Sequence, residues 1–153
     1  MGAVGPDERL RVGGDELRFR LTGEQSGGEA IAFEVEIPSG GGPPMLHRHR
    51  SLELYRVEDG ELAFYLEDAN GGVVRRAMGA GGVAFIPGGA EHTVRNESEA
   101  PARAFVVLAP GGELEAFARS VAELDRVIPD DVIRLAGRSG IAITRPVEGA
   151  VRA

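Results

Sequence analysis

The chain has 153 residues and a formal net charge of −7, from 24 acidic and 17 basic residues. This length suits one domain with one core, and the acidic charge argues against nucleic acid as a partner. The absence of cysteine excludes disulfides and thiolate metal ligands. No apolar run of about 18 residues is present and no signal peptide is visible, so we expect no membrane partner and a cytoplasmic location.

The first 14 residues are expected to form a flexible N-terminus, and residues 15–112 read as a succession of short strands. In residues 17–21, 31–37 and 62–66, large apolar side chains alternate with smaller or more polar ones, which is typical of strands with one buried face. Further strands are predicted at 83–86, 93–95 and 102–108. Glycine- and proline-rich turns separate them, and Asn70-Gly71 is a strong hairpin signal. Many short strands with regular turns predict a sandwich or a barrel.

After Pro110 the apolar residues recur at helical spacing. Residues 113–127 are predicted to form an amphipathic helix, and a second helix is predicted to begin at Pro129 and to end at Gly137 or Gly140. Residues 141–147 return to an extended pattern. We therefore treat residues 113–153 as a helical tail of the same domain, packed on the barrel or on a second subunit.

The three histidines of the chain are the strongest chemical signal. His47 and His49 are two residues apart and Glu53 is four further on, so on a strand all three side chains point to one face. Two imidazoles and a carboxylate form a facial metal-binding set, and His92 is a candidate fourth ligand from a separate segment. For the His-x-His pair alone, a solvated polar turn is the competing interpretation.

The spacing around these residues decides between the two interpretations. Residues 41–60 fit the pattern G-x5-H-x-H-x3-E-x6-G, and residues 81–96 fit G-x5-P-x-G-x2-H-x3-N. The six matches other than glycine would arise by chance with a frequency of about 10⁻⁸ per placement. These patterns are the two signature motifs of the cupin superfamily, and residues 17–146 resemble small single-barrel bacterial cupins that are often labelled quercetin 2,3-dioxygenase-like.

The resemblance implies an all-β fold, a double-stranded β-helix (jelly-roll) cupin barrel with a short C-terminal helical tail. It implies that His47, His49, Glu53 and His92 hold one divalent transition metal ion, which could be Fe, Mn, Ni, Cu or Zn. In the second motif Pro87 and Gly89 would form the turn that presents His92, and Asn96 would close the hairpin. The resemblance also implies a homodimer.

Candidate catalytic and pocket residues are expected around the metal. Glu53 is expected to remain a ligand or, when displaced, to take a proton from a bound hydroxyl group. Strand parity points Tyr55 to the interior, where its hydroxyl is expected to orient a ligand, to act as an acid, or equally to reach a backbone carbonyl. Apolar residues on strands are core residues more often than substrate contacts, but ligand pockets are also mostly apolar. The candidate pocket walls are Phe33, Met45, Phe64, Phe85 and Phe105.

Three functions remain open, because one fold hosts many chemistries. The first is a metal-dependent dioxygenase acting on a small aromatic or enol-like substrate, which an apolar pocket favours. The second is a non-enzymatic module that binds or senses a small ligand. The third is a metal-dependent isomerase or decarboxylase, which generally needs a cationic group to hold a carboxylate or sugar substrate.

Overall fold

The structure is a computed structural model that describes residues 7–148. Strands dominate, with one short helix near the start and two helices near the end of the described chain. The strands are β1 (Glu8–Val12), β2 (Asp15–Leu21), β3 (Ile31–Ile37), β4 (Met45–Arg48), β5 (Leu52–Asp59), β6 (Glu61–Glu67), β7 (Val73–Gly79), β8 (Val83–Ile86), β9 (His92–Arg95), β10 (Ala102–Ala109) and β11 (Ala142–Pro146). The helices are α1 (Gly23–Ser26), α2 (Gly112–Ala122) and α3 (Pro129–Arg138).

The strands form two antiparallel sheets. The six-stranded sheet has the order β1-β2-β3-β10-β5-β8, and the five-stranded sheet has the order β11-β4-β9-β6-β7. The chain crosses repeatedly from one sheet to the other, for instance from β4 to β5 and from β8 to β9. This is the topology of a jelly roll, so the predicted all-β barrel with a helical tail is confirmed.

The core lies between the two sheets, where the inward side chains of both sheets meet. Its largest fully buried members include Phe19 and Phe64, and Phe19 packs against Phe33 at 5.8 Å between ring centroids. Burying a side chain of this size stabilises the fold by about 1.5–3 kcal/mol. The apolar positions of the alternating segments therefore hold the sheets together.

The hairpin between β6 and β7 confirms the turn signal at Asn70-Gly71. The Asp68 carboxylate accepts hydrogen bonds from the backbone N–H of Asn70 at 2.8 Å and of Gly72 at 2.9 Å. Gly71 has a φ of 76°, which a residue without Cβ adopts at low cost. The turn residues thus fix the register of the hairpin.

The N-terminal prediction is wrong for residues 8–12. These residues form β1, which pairs with β2 through contacts such as Leu10 with Leu17, and Glu8 accepts two hydrogen bonds from Arg119 of α2. A five-residue strand with two apolar positions gives too short a pattern to be recognised in sequence. Residues 1–6 lie outside the described part of the chain.

In the C-terminal tail, the length of one helix differs from the prediction. Helix α2 ends at Ala122 instead of at residue 127, because the connection to α3 must fit before Pro129, and the residue before a proline is driven to an extended conformation. Ile128 accordingly has φ −116° and ψ 146°. Helix α3 and strand β11 form where they were predicted, and β11 joins the five-stranded sheet beside β4.

Candidate metal centre

The four predicted ligands converge inside the barrel, but they do not come from one strand. His47 lies on β4 and His92 on β9, which pair directly in the five-stranded sheet. His49 lies in the connection after β4, and Glu53 lies on β5 of the six-stranded sheet. The parity argument gave the right direction for these side chains, but it missed that the chain changes sheets between His49 and Glu53.

The ligand atoms are close enough to share one ion. The three histidines each offer a ring nitrogen, and these atoms lie within 4.8 Å of one another. The Glu53 carboxylate lies beside two of the rings, with Oε1 at 3.2 Å from His49 Nε2 and Oε2 at 3.1 Å from His92 Nε2. The three imidazoles therefore form one cluster, and the Glu53 carboxylate lies against two of them.

Backbone carbonyls fix the orientation of every imidazole. The Nδ1 atoms of His47, His49 and His92 lie 3.1, 3.1 and 2.9 Å from the carbonyl oxygens of Met45, Ser51 and Ala90. A carbonyl oxygen only accepts a hydrogen bond, so Nδ1 carries the hydrogen and donates it. The lone pair of each ring is then on Nε2, which is the arrangement that metal-binding histidines show.

Two buried polar atoms test whether a metal fits. His92 Nε2 and Glu53 Oε2 are buried without a hydrogen-bond partner, although they lie 3.1 Å apart. A nitrogen lone pair facing a carboxylate oxygen is unfavourable, and an unsatisfied buried polar atom costs about 1–3 kcal/mol. A cation between the rings and the carboxylate satisfies both atoms, so the residues fit a divalent metal held by His47, His49, Glu53 and His92.

The protonation states of His47 and Glu53 also suit metal binding. Burial and the nearby His92 lower the pKa of His47 to about 4, so this imidazole is neutral at pH 7. Burial alone would raise the pKa of Glu53, but the imidazoles of His49 and His92 beside its carboxylate outweigh burial and hold this pKa below its usual range. Burial would lower the pKa of His92, but the Glu53 carboxylate outweighs it and raises this pKa, so that without a metal a proton takes the place of the cation between these two groups. A neutral imidazole and an ionised carboxylate are the forms that ligate metals.

The second motif forms the turn that it predicted. Gly89 has a φ of 83° and donates its N–H to the His49 carbonyl at 2.7 Å. Gly88 lies so close to the first motif that a Cβ on it would be 2.2 Å from the Arg50 carbonyl oxygen. Pro87 begins this turn, and its carbonyl accepts the N–H of Ala90 at 3.2 Å. The turn thus places the segment leading to His92 against the first motif.

Asn96 lies at the other end of β9 and is fully buried. Its amide donates to the carbonyls of Ile37 at 2.9 Å and Ala100 at 2.8 Å, and its Oδ1 accepts the N–H of Ser98 at 3.0 Å. Its backbone also exchanges hydrogen bonds with Gly40 and Gly41. Asn96 therefore joins the end of the hairpin to β3 and to the loop after β3.

Three of the predicted pocket and catalytic residues lie in the core or against it. Phe33 and Phe64 belong to the buried core, and Tyr55 packs against it. The Tyr55 ring meets Phe64 edge-on at 5.3 Å, and burial, together with the Glu53 carboxylate, raises the pKa of Tyr55, so its hydroxyl is protonated at neutral pH. Met45 begins β4, two residues before His47.

The prediction that Phe85 and Phe105 line the interior is wrong. Phe85 pairs with Leu54 and Phe105 pairs with Arg56, whereas the inward residues of β5 are Glu53, Tyr55 and Val57. Phe85 is 55% exposed on the outer face of the six-stranded sheet. Strand parity depends on register, and a shift of one residue moves a side chain to the opposite face.

The residues that actually flank the carboxylate were missed. Ile86 and Leu108 pair with Glu53 from both neighbouring strands, and Leu66 pairs with His92. Ile86 and Leu108 are fully buried. Alternation within each strand was visible in the sequence, but the pairing between strands was not.

None of the helices in the described part of the chain is long and apolar enough to cross a membrane.

Comparisons with known proteins agree with this architecture. The family model described as "Cupin domain" matches residues 33–108. No curated protein sequence matches the chain. Many solved structures are similar, and we report three of them below.

The polyketide cyclase RemF from Streptomyces resistomycificus is 21% identical with a TM-score of 0.58, covering 72% of this chain and 80% of RemF. A predicted oxalate decarboxylase from Thermotoga maritima is 26% identical with a TM-score of 0.54, and the match covers 69% of this chain and 92% of the decarboxylase. A cupin sugar phosphate isomerase from Silicibacter pomeroyi is 24% identical with a TM-score of 0.50, and the match covers 69% of this chain and 68% of the isomerase. The family match and the shared jelly roll, together with both signature motifs, identify this chain as a member of the cupin superfamily.

Proposed function

We propose that this protein is a metal-dependent dioxygenase-type enzyme that acts on a small aromatic or enol-like molecule. The observation that carries the proposal is a cluster of three imidazoles and one carboxylate facing an apolar interior. Four protein ligands leave positions of an octahedral ion open for a substrate oxygen and for O₂.

The surroundings of the site support an apolar, planar substrate. Ile86 and Leu108 flank Glu53, and the aromatic rings of Tyr55 and Phe64 are in contact. None of the buried residues between 7 and 148 is an arginine, and the chain contains no lysine. A site without a buried cation is poorly suited to a sugar phosphate or a dicarboxylate, because such a substrate would lose its hydration without gaining a partner.

The bound metal would supply a Lewis acid and a redox centre that brings substrate and oxygen together. Glu53 lies beside the imidazoles and can accept the proton of a substrate hydroxyl group, since its carboxylate is held in the ionised form. Tyr55, two residues further along the same face of β5, carries a protonated hydroxyl that can donate a hydrogen bond to a substrate oxygen. The apolar side chains exclude water from this step.

Two other activities remain as alternatives. The similarity to a predicted oxalate decarboxylase, at 26% identity, favours a non-oxidative reaction such as decarboxylation or isomerisation. Arg76 of β7 pairs with Phe64 and shares its face, although it is exposed, and it is the residue that a carboxylate substrate would use. A binding or sensing module without turnover is the third possibility.

Metal analysis followed by oxygen uptake tests the proposal. The protein is purified without a His tag, and its metal content is measured by mass spectrometry. We expect about one Fe, Mn, Ni or Cu ion per chain, and oxygen consumption that accompanies the loss of a flavonol or another enol. Turnover without oxygen would favour the decarboxylase or isomerase, and ligand binding without turnover would favour the sensing module.

The variant Tyr55→Phe separates binding from chemistry. It keeps the ring that packs on Phe64 and removes only the hydroxyl, so metal content should not change while kcat falls by about 10²-fold. An unchanged kcat would remove Tyr55 from the reaction.

We also propose that the protein is a homodimer that uses the outer face of β5 and β8. In the described part of the chain β8 is an edge strand, and four exposed apolar side chains lie on this face of the two strands: Leu52, Leu54, Val83 and Phe85. An apolar edge strand that no other element covers tends to pair with another chain. A two-fold axis would let the same face of both copies cover each other.

A further inference from the structure

A group of charged residues lies on the side of the five-stranded sheet that faces away from the metal ligands. Arg48 separates His47 from His49 in sequence, and Glu91 immediately precedes His92. Side chains of neighbouring strand residues point to opposite faces. The charged group and the ligands therefore share the same short stretches of backbone.

Glu91 is the centre of this group, and its side chain is only 4% exposed. Arg145 of β11 donates to it from Nη2 at 2.8 Å and from Nε at 3.2 Å, and the Thr144 hydroxyl donates at 2.5 Å. Arg48 lies further away, at 3.9 Å. Most of the hydrogen bonds that hold the Glu91 carboxylate thus come from the C-terminal strand.

A second carboxylate, that of Glu67, belongs to the same charged group. Glu67 of β6 accepts hydrogen bonds from Arg48 at 2.7 and 3.2 Å and from the Glu91 backbone N–H at 2.9 Å. The Glu67 N–H in turn donates to the Glu91 carbonyl at 2.9 Å, and Arg48 also donates to the Gly89 carbonyl at 3.0 Å. The segment leading to His92 is therefore held at both its backbone and its side chain.

Strand β11 also touches the other ligand strand directly. Ile143 pairs with His47 in the β4–β11 ladder, and the Thr144 hydroxyl donates to the Leu46 carbonyl at 3.0 Å. One short C-terminal strand thus contacts both ligand segments: the backbone around His47, and the Glu91 side chain next to His92.

We propose that Arg145 is a positioning residue of the metal centre, which acts through Glu91 to hold His92 in its ligating place. This inference rests on the proposed metal site. Hydrogen-bonded groups around the ligands hold a metal site in shape, and removing one of them typically lowers metal affinity about 10- to 100-fold. Arg145 acts one residue away from the ligand, so we expect an effect near the lower limit of that range.

A purely structural role makes a different prediction. An ion pair between a buried carboxylate and a half-exposed arginine contributes little net stability, yet removing one partner leaves a buried charge uncompensated. If Arg145 only stabilised the fold, its loss would lower the melting temperature of the metal-free protein, while the folded protein would bind metal as before.

Cobalt titration distinguishes the two roles. Co²⁺ is added to the metal-free wild type, Arg145→Ala and Arg145→Lys, and affinity is measured by competition with a chelator at a temperature where circular dichroism shows each protein to be folded. We expect the dissociation constant of Arg145→Ala to rise about tenfold with a changed visible spectrum of the bound Co²⁺. Arg145→Lys, which retains the charge, should lie between the other two.

Arg75→Ala is the matched control. Arg75 pairs with Glu97 at 3.1 Å on the same sheet, and its side chain is about as exposed as that of Arg145, but it contacts none of the ligand segments. Equal cobalt affinity and spectra in Arg145→Ala and the wild type would overturn the inference and leave the metal site standing. A wild type that binds no metal at all would overturn the proposed function and this inference with it.

Discussion

The outer faces of the two sheets are built in opposite ways. Behind the metal ligands, the five-stranded sheet carries ion pairs, and Arg145 of its edge strand β11 holds the buried carboxylate of Glu91. The outer face of the six-stranded sheet around β5 and β8 instead exposes apolar side chains such as Phe85. Ion pairs within the chain occupy the first face, and we propose that a second copy covers the other.

This difference matches what each sheet contributes to the site. The five-stranded sheet and its connection supply the three imidazoles, whose orientation must be fixed. The six-stranded sheet supplies one carboxylate, Glu53, beside bulky apolar neighbours. The sheet that carries most ligands is therefore the one whose exterior is held by hydrogen bonds.

The largest effect should follow from removing one ligand of each sheet. We expect His92→Ala and Glu53→Gln each to lower metal affinity by more than about 100-fold, since a ligand contributes more than the groups around it. Metal content per chain, measured by mass spectrometry after dialysis, checks this, with Arg75→Ala as control. Full metal content in Glu53→Gln would mean that the six-stranded sheet contributes no ligand.

Substitutions at the two ends of β8 allow a comparison of the inner face of the six-stranded sheet with its outer face. Ile86 is fully buried beside Glu53, whereas Val83 is 55% exposed. We expect Ile86→Ala to lower the free energy of unfolding by about 3 kcal/mol through the cavity it leaves, and Val83→Ala to lower it by less than about 1 kcal/mol. Urea unfolding at matched protein concentration measures both. Similar losses would contradict the register of β5 with β8.

A substitution on the exposed outer face of β5 and β8 should change the dimer dissociation constant and leave the stability of the fold largely unchanged. We expect Phe85→Ser to raise the dimer dissociation constant about 30-fold, because a buried aromatic residue at an interface contributes about 2 kcal/mol. Sedimentation equilibrium measures this change. The control is Val127→Ser, which alters an exposed apolar residue away from β5 and β8. A wild type that is monomeric at micromolar concentration would overturn the proposed interface.

The smallest effect concerns Asp15, at the start of β2. Burial raises its pKa to about 6 from 3.8, despite the hydrogen bond from the Gly42 N–H. Between these values the folded protein keeps a proton that the unfolded chain releases, so stability falls as pH rises from about 4 to 6 and stays lower above that.

Asp15→Asn should remove this loss. The full shift corresponds to about 3 kcal/mol, and partial exposure reduces it to about 1 kcal/mol. We therefore expect Asp15→Asn to be more stable than the wild type at pH 7.5 and to lose this advantage at pH 4. Urea unfolding at the two pH values tests it, and an equal difference at both would contradict burial as the cause.

Much of the fold could be predicted because it depends on local patterns. Alternation located the strands that form the core, and two spaced motifs predicted His47, His49, Glu53 and His92 as a set, which the fold brings together. What failed depends on pairing between distant segments. The outward direction of Phe85 follows from its register with Leu54, which no single strand encodes.

The contact between the C-terminal strand and the ligand segments could not be predicted either, because it also depends on pairing between distant segments. Arg145 and Glu91 are 54 residues apart in sequence, and nothing in their local context marks them as partners. An exposed-looking arginine in a short extended segment is usually solvated, as Arg134 is in α3 with its local partner Asp131. Only the pairing of β11 with β4 brings Arg145 to a carboxylate beside a ligand.

The division of the proposed ligands between the two sheets would make metal binding a part of folding thermodynamics. An ion held by His47 and His92 on one sheet and by Glu53 on the other would cross-link the barrel and would be released when the sheets separate. Free metal at 1,000 times its dissociation constant would add about 4 kcal/mol to the free energy of unfolding. The melting temperature of the protein is therefore expected to rise with the concentration of free metal, so that a thermal melt ranks the candidate metals by affinity without knowledge of the substrate.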